Sequence, residues 1–102
     1  MNLSENTQPW ADVAVVVGVK ENCVQCKQTV KILQRHGVAY QALDLDTEPG
    51  RWLLEFAREQ GISSAPVVKV NGIDGEAWGG FNKAKLQKLV EKLGRDLKNL
   101  FP

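Results

Sequence analysis

Val13-Ala14-Val15-Val16-Val17-Gly18-Val19-Lys20-Glu21-Asn22-Cys23-Val24-Gln25-Cys26 is the stretch that decides the fold. Its first half, Val13–Val19, is a valine-rich apolar run of strand length. A run of this kind suits a strand covered on both faces. Lys20-Glu21-Asn22 then turns the chain into a pair of cysteines. From Val24 to His36, the residues Cys26, Val30 and Leu33 recur at i, i+4 and i+7 with Lys and Gln between them. That is the period of an amphipathic helix. Strand, cysteine pair and helix therefore follow one another without a spacer.

Downstream elements continue the pattern. Gly37 stops the helix, and His36 sits in its last turn, where a cation suits the dipole. Val38–Asp46 reads as a second strand. Thr47 or Glu48, with Pro49 in the first turn, starts a second helix whose apolar face is Trp52, Leu53, Phe56 and Ala57. Trp52 and Phe56 read as core residues. Gly61 ends that helix. Ile62-Ser63-Ser64-Ala65-Pro66 leads into a strand at Val67-Val68-Lys69-Val70. Asn71-Gly72 is a hairpin signal, and a short strand at Gly75–Trp78 returns. Gly79-Gly80 breaks it, and Asn82 caps a last helix with Leu86, Leu89, Val90, Leu93 and Leu97 on its apolar side. Lys83, Lys85, Lys88 and Lys92 form its wet face, and Gly94 frays or ends it. The order β-α-β-α-β-β-α makes an α/β domain with a right-handed parallel crossover first and an antiparallel hairpin later.

The 102 residues fit one domain, with an irregular arm over 1–10, including Trp10, and the fold over 11–102. A net charge of +1 gives no electrostatic case for nucleic acid or an anionic membrane. No apolar stretch approaches a membrane span, and the polar start, Met1 to Pro9, lacks the features of a signal peptide. The expected compartment is the reducing cytoplasm, where a close cysteine pair reads as redox-active rather than structural. Two cysteines and one histidine cannot supply a zinc site built from four cysteines, or from two cysteines and two histidines.

Two cysteines at i and i+3 at a helix start lie on the same side of the first turn and can close a small disulfide. The helix terminus offers free N–H groups and partial positive charge, both of which stabilise a thiolate. Cys23, at the mouth of the helix, is the candidate nucleophile, with a lowered pKa expected there. Cys26, one turn in and more buried, is the candidate resolving thiol. Lys20 adds positive charge nearby. The alternatives are two ordinary buried cysteines, or half of a metal site completed by a second chain. Pro66 is tolerated at a strand's first position for backbone reasons alone. Trp78-Gly79-Gly80-Phe81 combines glycines that permit close backbone approach with aromatics that suit either a core or a contact surface.

These motifs resemble the glutaredoxin-like branch of the thioredoxin fold, and most closely the NrdH-type redoxins. The likeness runs from about Val13 to Leu93. It is carried by Lys20, Cys23-Val24-Gln25-Cys26, Ser64-Ala65-Pro66-Val67-Val68 and Trp78-Gly79-Gly80-Phe81. The resemblance implies a thioredoxin-like fold, a four-stranded mixed sheet flanked by about three helices. It implies a cis proline at Pro66, attack by Cys23 and resolution by Cys26. It also implies substrate contacts from Lys20, Ala65, Pro66, Val67, Trp78, Gly79, Gly80 and Phe81. The implied role is that of a monomeric protein electron donor with no bound cofactor. Thioredoxin reductase would reduce it, the NADPH and flavin belonging to that reductase. The large subunit of a class Ib ribonucleotide reductase would receive the electrons. A glutathione-dependent glutaredoxin for general protein disulfides is the alternative. Glutaredoxins tend to carry an acidic residue soon after Gly-Gly, and Asn82 and Lys83 stand there instead.

Overall fold

A computed structural model describes residues 14–71 and 75–93. The arm with Trp10, Val13, the turn residue Gly72, and Gly94 and Leu97 lie outside the described residues. The elements are β1 (Val15–Val19), α1 (Val24–Arg35), β2 (Tyr40–Asp44), α2 (Glu48–Glu59), β3 (Val67–Val70), β4 (Ala77–Gly79) and α3 (Lys83–Leu93). They form one mixed sheet in the order β2-β1-β3-β4. β1 pairs in parallel with β2 and antiparallel with β3, which pairs antiparallel with β4.

The valine run of β1 is buried on both faces, as its composition demands. Val15 and Val17 join Leu33 of α1, Val68, Trp78, and Leu86 and Leu89 of α3 in one core. Val16 points the other way and packs with Leu43, Leu45, Val67, and Leu53 and Ala57 of α2. The period-2 alternation of the central strand thus assigns α1 and α3 to one face and α2 to the other. Truncating a fully buried leucine such as Leu33 or Leu53 to alanine removes about 2–5 kcal/mol.

Both long helices end in the same device. Gly37 has φ 69° and Gly61 has φ 76°, a region open to glycine without a Cβ penalty. After α1, the N–H of Gly37 donates to Gln34 O (3.2 Å) and that of Val38 to Leu33 O (2.9 Å). After α2, Gly61 donates to Arg58 O and Ile62 to Ala57 O. This is the Schellman pattern, and the contact between Val38 and Leu33 within one core accompanies it. It also explains why β2 is shorter than the expected Val38–Asp46. Val38 is consumed in ending α1. At the other end, the Thr47 N–H donates to Asp44 O and bends the chain away.

Three further expectations are corrected. The last strand is Ala77–Gly79 rather than Gly75–Trp78, because its register with β3 runs through Gly79. Trp52 is 36% exposed, stacked on Phe56 at 6.0 Å along the flank of α2, rather than buried in the core. Lys69 covers this pair, with Nζ 5.4 Å from the Phe56 ring centre. Leu93, on the expected apolar side of α3, is 37% exposed. Lys85 keeps to the wet face of α3 with its side chain 43% exposed, its ammonium lying over the Trp78 ring and pairing with Glu76 at 2.9 Å. That ion pair holds the Glu76 carboxyl below its ordinary pKa.

α2 approaches the end of β2 so closely that Gly50 has no room for a side chain. A Cβ there would meet the Asp44 carbonyl and the Leu45 backbone. Gly to Ala within a helix ordinarily stabilises by about 1 kcal/mol. Here the sign is expected to reverse, with Gly50→Ala lowering stability by about 1–3 kcal/mol through overpacking. A urea midpoint that stays put or rises in Gly50→Ala contradicts this close approach.

Candidate functional site

Strand register assembles the site before any side chain is considered. β1 ends at Val19, and its Gly18 lies opposite Val67 of β3. Pro66, which precedes Val67, therefore stands beside the end of β1. Val67 lies in turn opposite Gly79 of β4, and the Gly80 N–H donates to Pro66 O at 2.9 Å. Three stretches far apart in sequence thus meet at one end of the sheet. This is the end where β1 hands over to α1, the customary place for a site in an open α/β sheet.

The handover itself is compact. Asn22 takes φ 56°, a left-handed conformation to which asparagine adapts better than most residues. Cys23 then sits in extended conformation as the N-cap of α1, its Sγ accepting from the Cys26 N–H at 3.1 Å. The first turn of α1 contains no acidic residue. Cys23 and Cys26 are joined as a disulfide, Cα atoms 5.2 Å apart. Cys23 is half-buried, whereas Cys26 is 3% exposed. Cys23 is therefore the more accessible sulfur of the pair, and Cys26 lies behind it in the interior.

The backbone around the pair is shaped to match. Ala65-Pro66 is cis, with Pro66 buried and Ala65 half-buried. Val67 is 3% exposed and serves the core. Gly79 and Gly80 are half-buried, and Phe81 is 36% exposed. Trp78 is only 6% exposed and lies in the core under α3. The aromatic surface beside the cysteines is therefore Phe81, whereas Trp78 serves the core. Lys20 is exposed at the corner of the site. With Arg58, Ser63, Ser64 and Ala65 it lines a depression of about 230 Å³.

Two contributors escaped the sequence reading. Arg58, on α2, reaches the depression shared with Lys20. Gln25, between the cysteines, accepts the Phe81 N–H on its Oε1 at 2.8 Å. A Cβ on Gly80 would come within 3.3 Å of that same oxygen. Gln25 thus ties the first turn of α1 to the Gly-Gly-Phe loop. Its position in the motif was visible, but a contact spanning 56 residues leaves no local pattern.

A redox-active pair at a helix mouth, beside a cis proline, on a three-helix mixed sheet, defines a thiol–disulfide oxidoreductase of thioredoxin-like fold. The Glutaredoxin family profile matches residues 15–73, and the chain belongs to that family. It is 36% identical over 76 residues to the glutaredoxin-like protein NrdH of Lactococcus lactis, spanning 74% of this chain and 99% of that protein. Among solved structures it is similar to the NrdH-redoxin of Escherichia coli, with TM-score 0.62 and 27% identity over 74% of this chain and 92% of that one. Wheat glutaredoxin superposes with TM-score 0.64 at 32% identity, covering 81% of this chain and 80% of that one.

The Gln25 tie makes a direct prediction. A net hydrogen bond is worth about 0.5–1.5 kcal/mol, so Gln25→Ala should speed amide exchange at Phe81 roughly two- to tenfold. Gln25→Glu, which keeps an acceptor, should retain protection. Unchanged Phe81 exchange in Gln25→Ala contradicts the tie.

Proposed function

We propose that this chain is a dithiol electron donor of NrdH type, working as a monomer in the reducing cytoplasm. A thioredoxin reductase would recharge it at the expense of NADPH, and a class Ib ribonucleotide reductase would receive its electrons through the large subunit. The observation that carries the reading is the site itself: an accessible Cys23 capping α1, a buried Cys26 behind it, and Phe81 exposed beside them. Its likeness to NrdH proteins supports the choice of circuit. So does the segment after Gly80. Asn82 there uses its Oδ1 to accept the Lys85 N–H and cap α3, and it offers no carboxylate to a small amine.

The chemistry is two exchanges. The Cys23 thiolate attacks one sulfur of the partner's disulfide, that S–S bond breaks, and a mixed disulfide forms while the partner's other sulfur leaves as a thiolate and takes up a proton. Cys26 then loses its proton and attacks Cys23 Sγ, so the second partner sulfur leaves and is protonated. Two electrons pass to the partner, with one proton from Cys26 and one from solvent, and the Cys23–Cys26 disulfide remains. The Cys26 N–H that meets Cys23 Sγ at 3.1 Å is placed to stabilise Cys23 whenever it is a free thiolate. Helix α1 contributes its positive end.

One observation favours a second reading, a glutathione-dependent glutaredoxin. Lys20 and Arg58 share a depression beside Ser64 and Ala65, where two cations suit a carboxylate. A saturable glutathione mixed disulfide on a Cys26→Ser variant supports that reading, and its absence at millimolar glutathione counts against it.

The deciding experiment is NADPH consumption in a coupled assay with thioredoxin reductase and an oxidised protein substrate. The expected result is turnover with wild type and none with Cys23→Ser, while Cys26→Ser stops at a trapped mixed disulfide. Reduction by glutathione but not by thioredoxin reductase overturns the NrdH-type reading in favour of the second.

A further inference from the structure

Charge is distributed differently over α1 and α2. α2 mixes Glu48, Glu55 and Glu59 with Arg51 and Arg58. α1 carries Lys27, Lys31 and Arg35 and no acidic residue. These three recur at i, i+4 and i+8 and so form one stripe, a like-charge spacing that costs helix stability. Among the described residues, neither Lys27 nor Lys31 takes part in an ion pair. In a chain whose net charge is only +1, an unmatched stripe beside the active disulfide is a local feature.

The stripe borders a groove. A depression of about 480 Å³ runs from Cys26 between α1 and the β1–β2 edge, with Lys20, Lys27 and Lys31 along its rim. Its floor is apolar: Val19, Val30 and Ala42, of which Ala42 is exposed and the two valines half-exposed. Gln34, whose Nε2 donates to Tyr40 Oη at 2.8 Å, stands near its far end. Among the described residues, no acidic side chain lines it. The acids on the flanking elements are Glu21 and Asp44, and Asp44 Oδ1 is engaged with the Asp46 N–H.

We propose that this groove docks an acidic, partly apolar segment of the partner protein, next to the disulfide that is exchanged with Cys23. The inference rests on the exchange chemistry proposed above and adds to it a determinant of which disulfides are chosen. The rim lysines match carboxylates, and the floor matches a side chain of leucine or valine size between them. The groove begins at Cys26, so a segment seated in it holds its neighbouring sulfur close to the pair. Charges of this kind act mainly on encounter and selection, and salt weakens them.

The test uses the full chain, reduced and mixed in single turnover with synthetic peptides of equal length. Each peptide has one internal disulfide, flanked by Glu-Leu-Glu in one and Lys-Leu-Lys in the other. Hydroxyethyl disulfide is the uncharged control. At low salt the acidic peptide should react about tenfold faster than the basic one, an advantage that shrinks as salt is raised. Lys27→Glu/Lys31→Glu should abolish or invert the preference. Ala42→Glu, which places a carboxylate on the floor from a different element, should do the same. Lys88→Glu/Lys92→Glu makes the same change in net charge on α3 and should keep the preference. Equal rates for the two peptides overturn the proposal. So does a preference that survives the α1 reversal, or one lost equally in the α3 control. Failure of wild type to reduce hydroxyethyl disulfide is a different result: it removes the exchange chemistry, and the docking proposal with it.

Discussion

Gly18, Val67 and Gly79 lie side by side across three strands, and the whole site depends on that alignment. The antiparallel register of β1 with β3 sets Pro66 next to the exit of β1. The register of β3 with β4 sets Gly80 next to Pro66. A shift of one residue in either pairing would turn the buried faces outward. It would also carry the cis proline and the Gly-Gly-Phe loop away from the cysteines. The register is held because β1 and β3 bury side chains on both faces, Val15 and Val17 toward one core, Val16 toward the other. Packing that stabilises the domain therefore positions its chemistry as well.

A second constraint acts at the helix mouth. Cys23 is at once the N-cap of α1 and the accessible sulfur of the disulfide. An N-cap side chain exists to accept from the free N–H groups of the first turn, and here a sulfur does so. The donor that ends the helix is thus the donor that favours a thiolate. Cys26, one turn later, faces the interior at 3% exposure. A spacing of three along one helix thus puts two chemically identical residues in different surroundings, one accessible and one buried. Gln25 uses the position between them to hold the Gly-Gly-Phe loop, joining the pair to the far end of the chain.

Much of this was legible in the sequence, and the exceptions have physical reasons. The valine run, the helical periods, Gly37 and Gly61 as stops, and Asn82 as a cap are local patterns, and the structure contains each of them. The cis bond before Pro66 followed only from resemblance, since the dipeptide alone does not signal it. Trp52 and Trp78 were harder. A helical wheel separates a face from its opposite but does not resolve the flank, so Trp52 fell on the border and emerged stacked on Phe56. Trp78 is buried because α3 folds over β4, and nothing near it in the chain says so. The boundaries of β2 moved because a helix-ending motif claimed Val38. The Lys20–Arg58 depression and the α1 groove depend on tertiary placement, which no single stretch of sequence encodes.

In the proposed exchange Cys23 is the attacking thiol and Cys26 the buried resolving one. Alkylation of the reduced protein by iodoacetamide across a pH series, with each cysteine quantified by mass spectrometry, tests it most directly. Cys23 should react first at every pH, and its rate should titrate below the value of about 8.5 typical of a free cysteine. Equal alkylation rates for Cys23 and Cys26, both titrating like a free cysteine, would contradict the account.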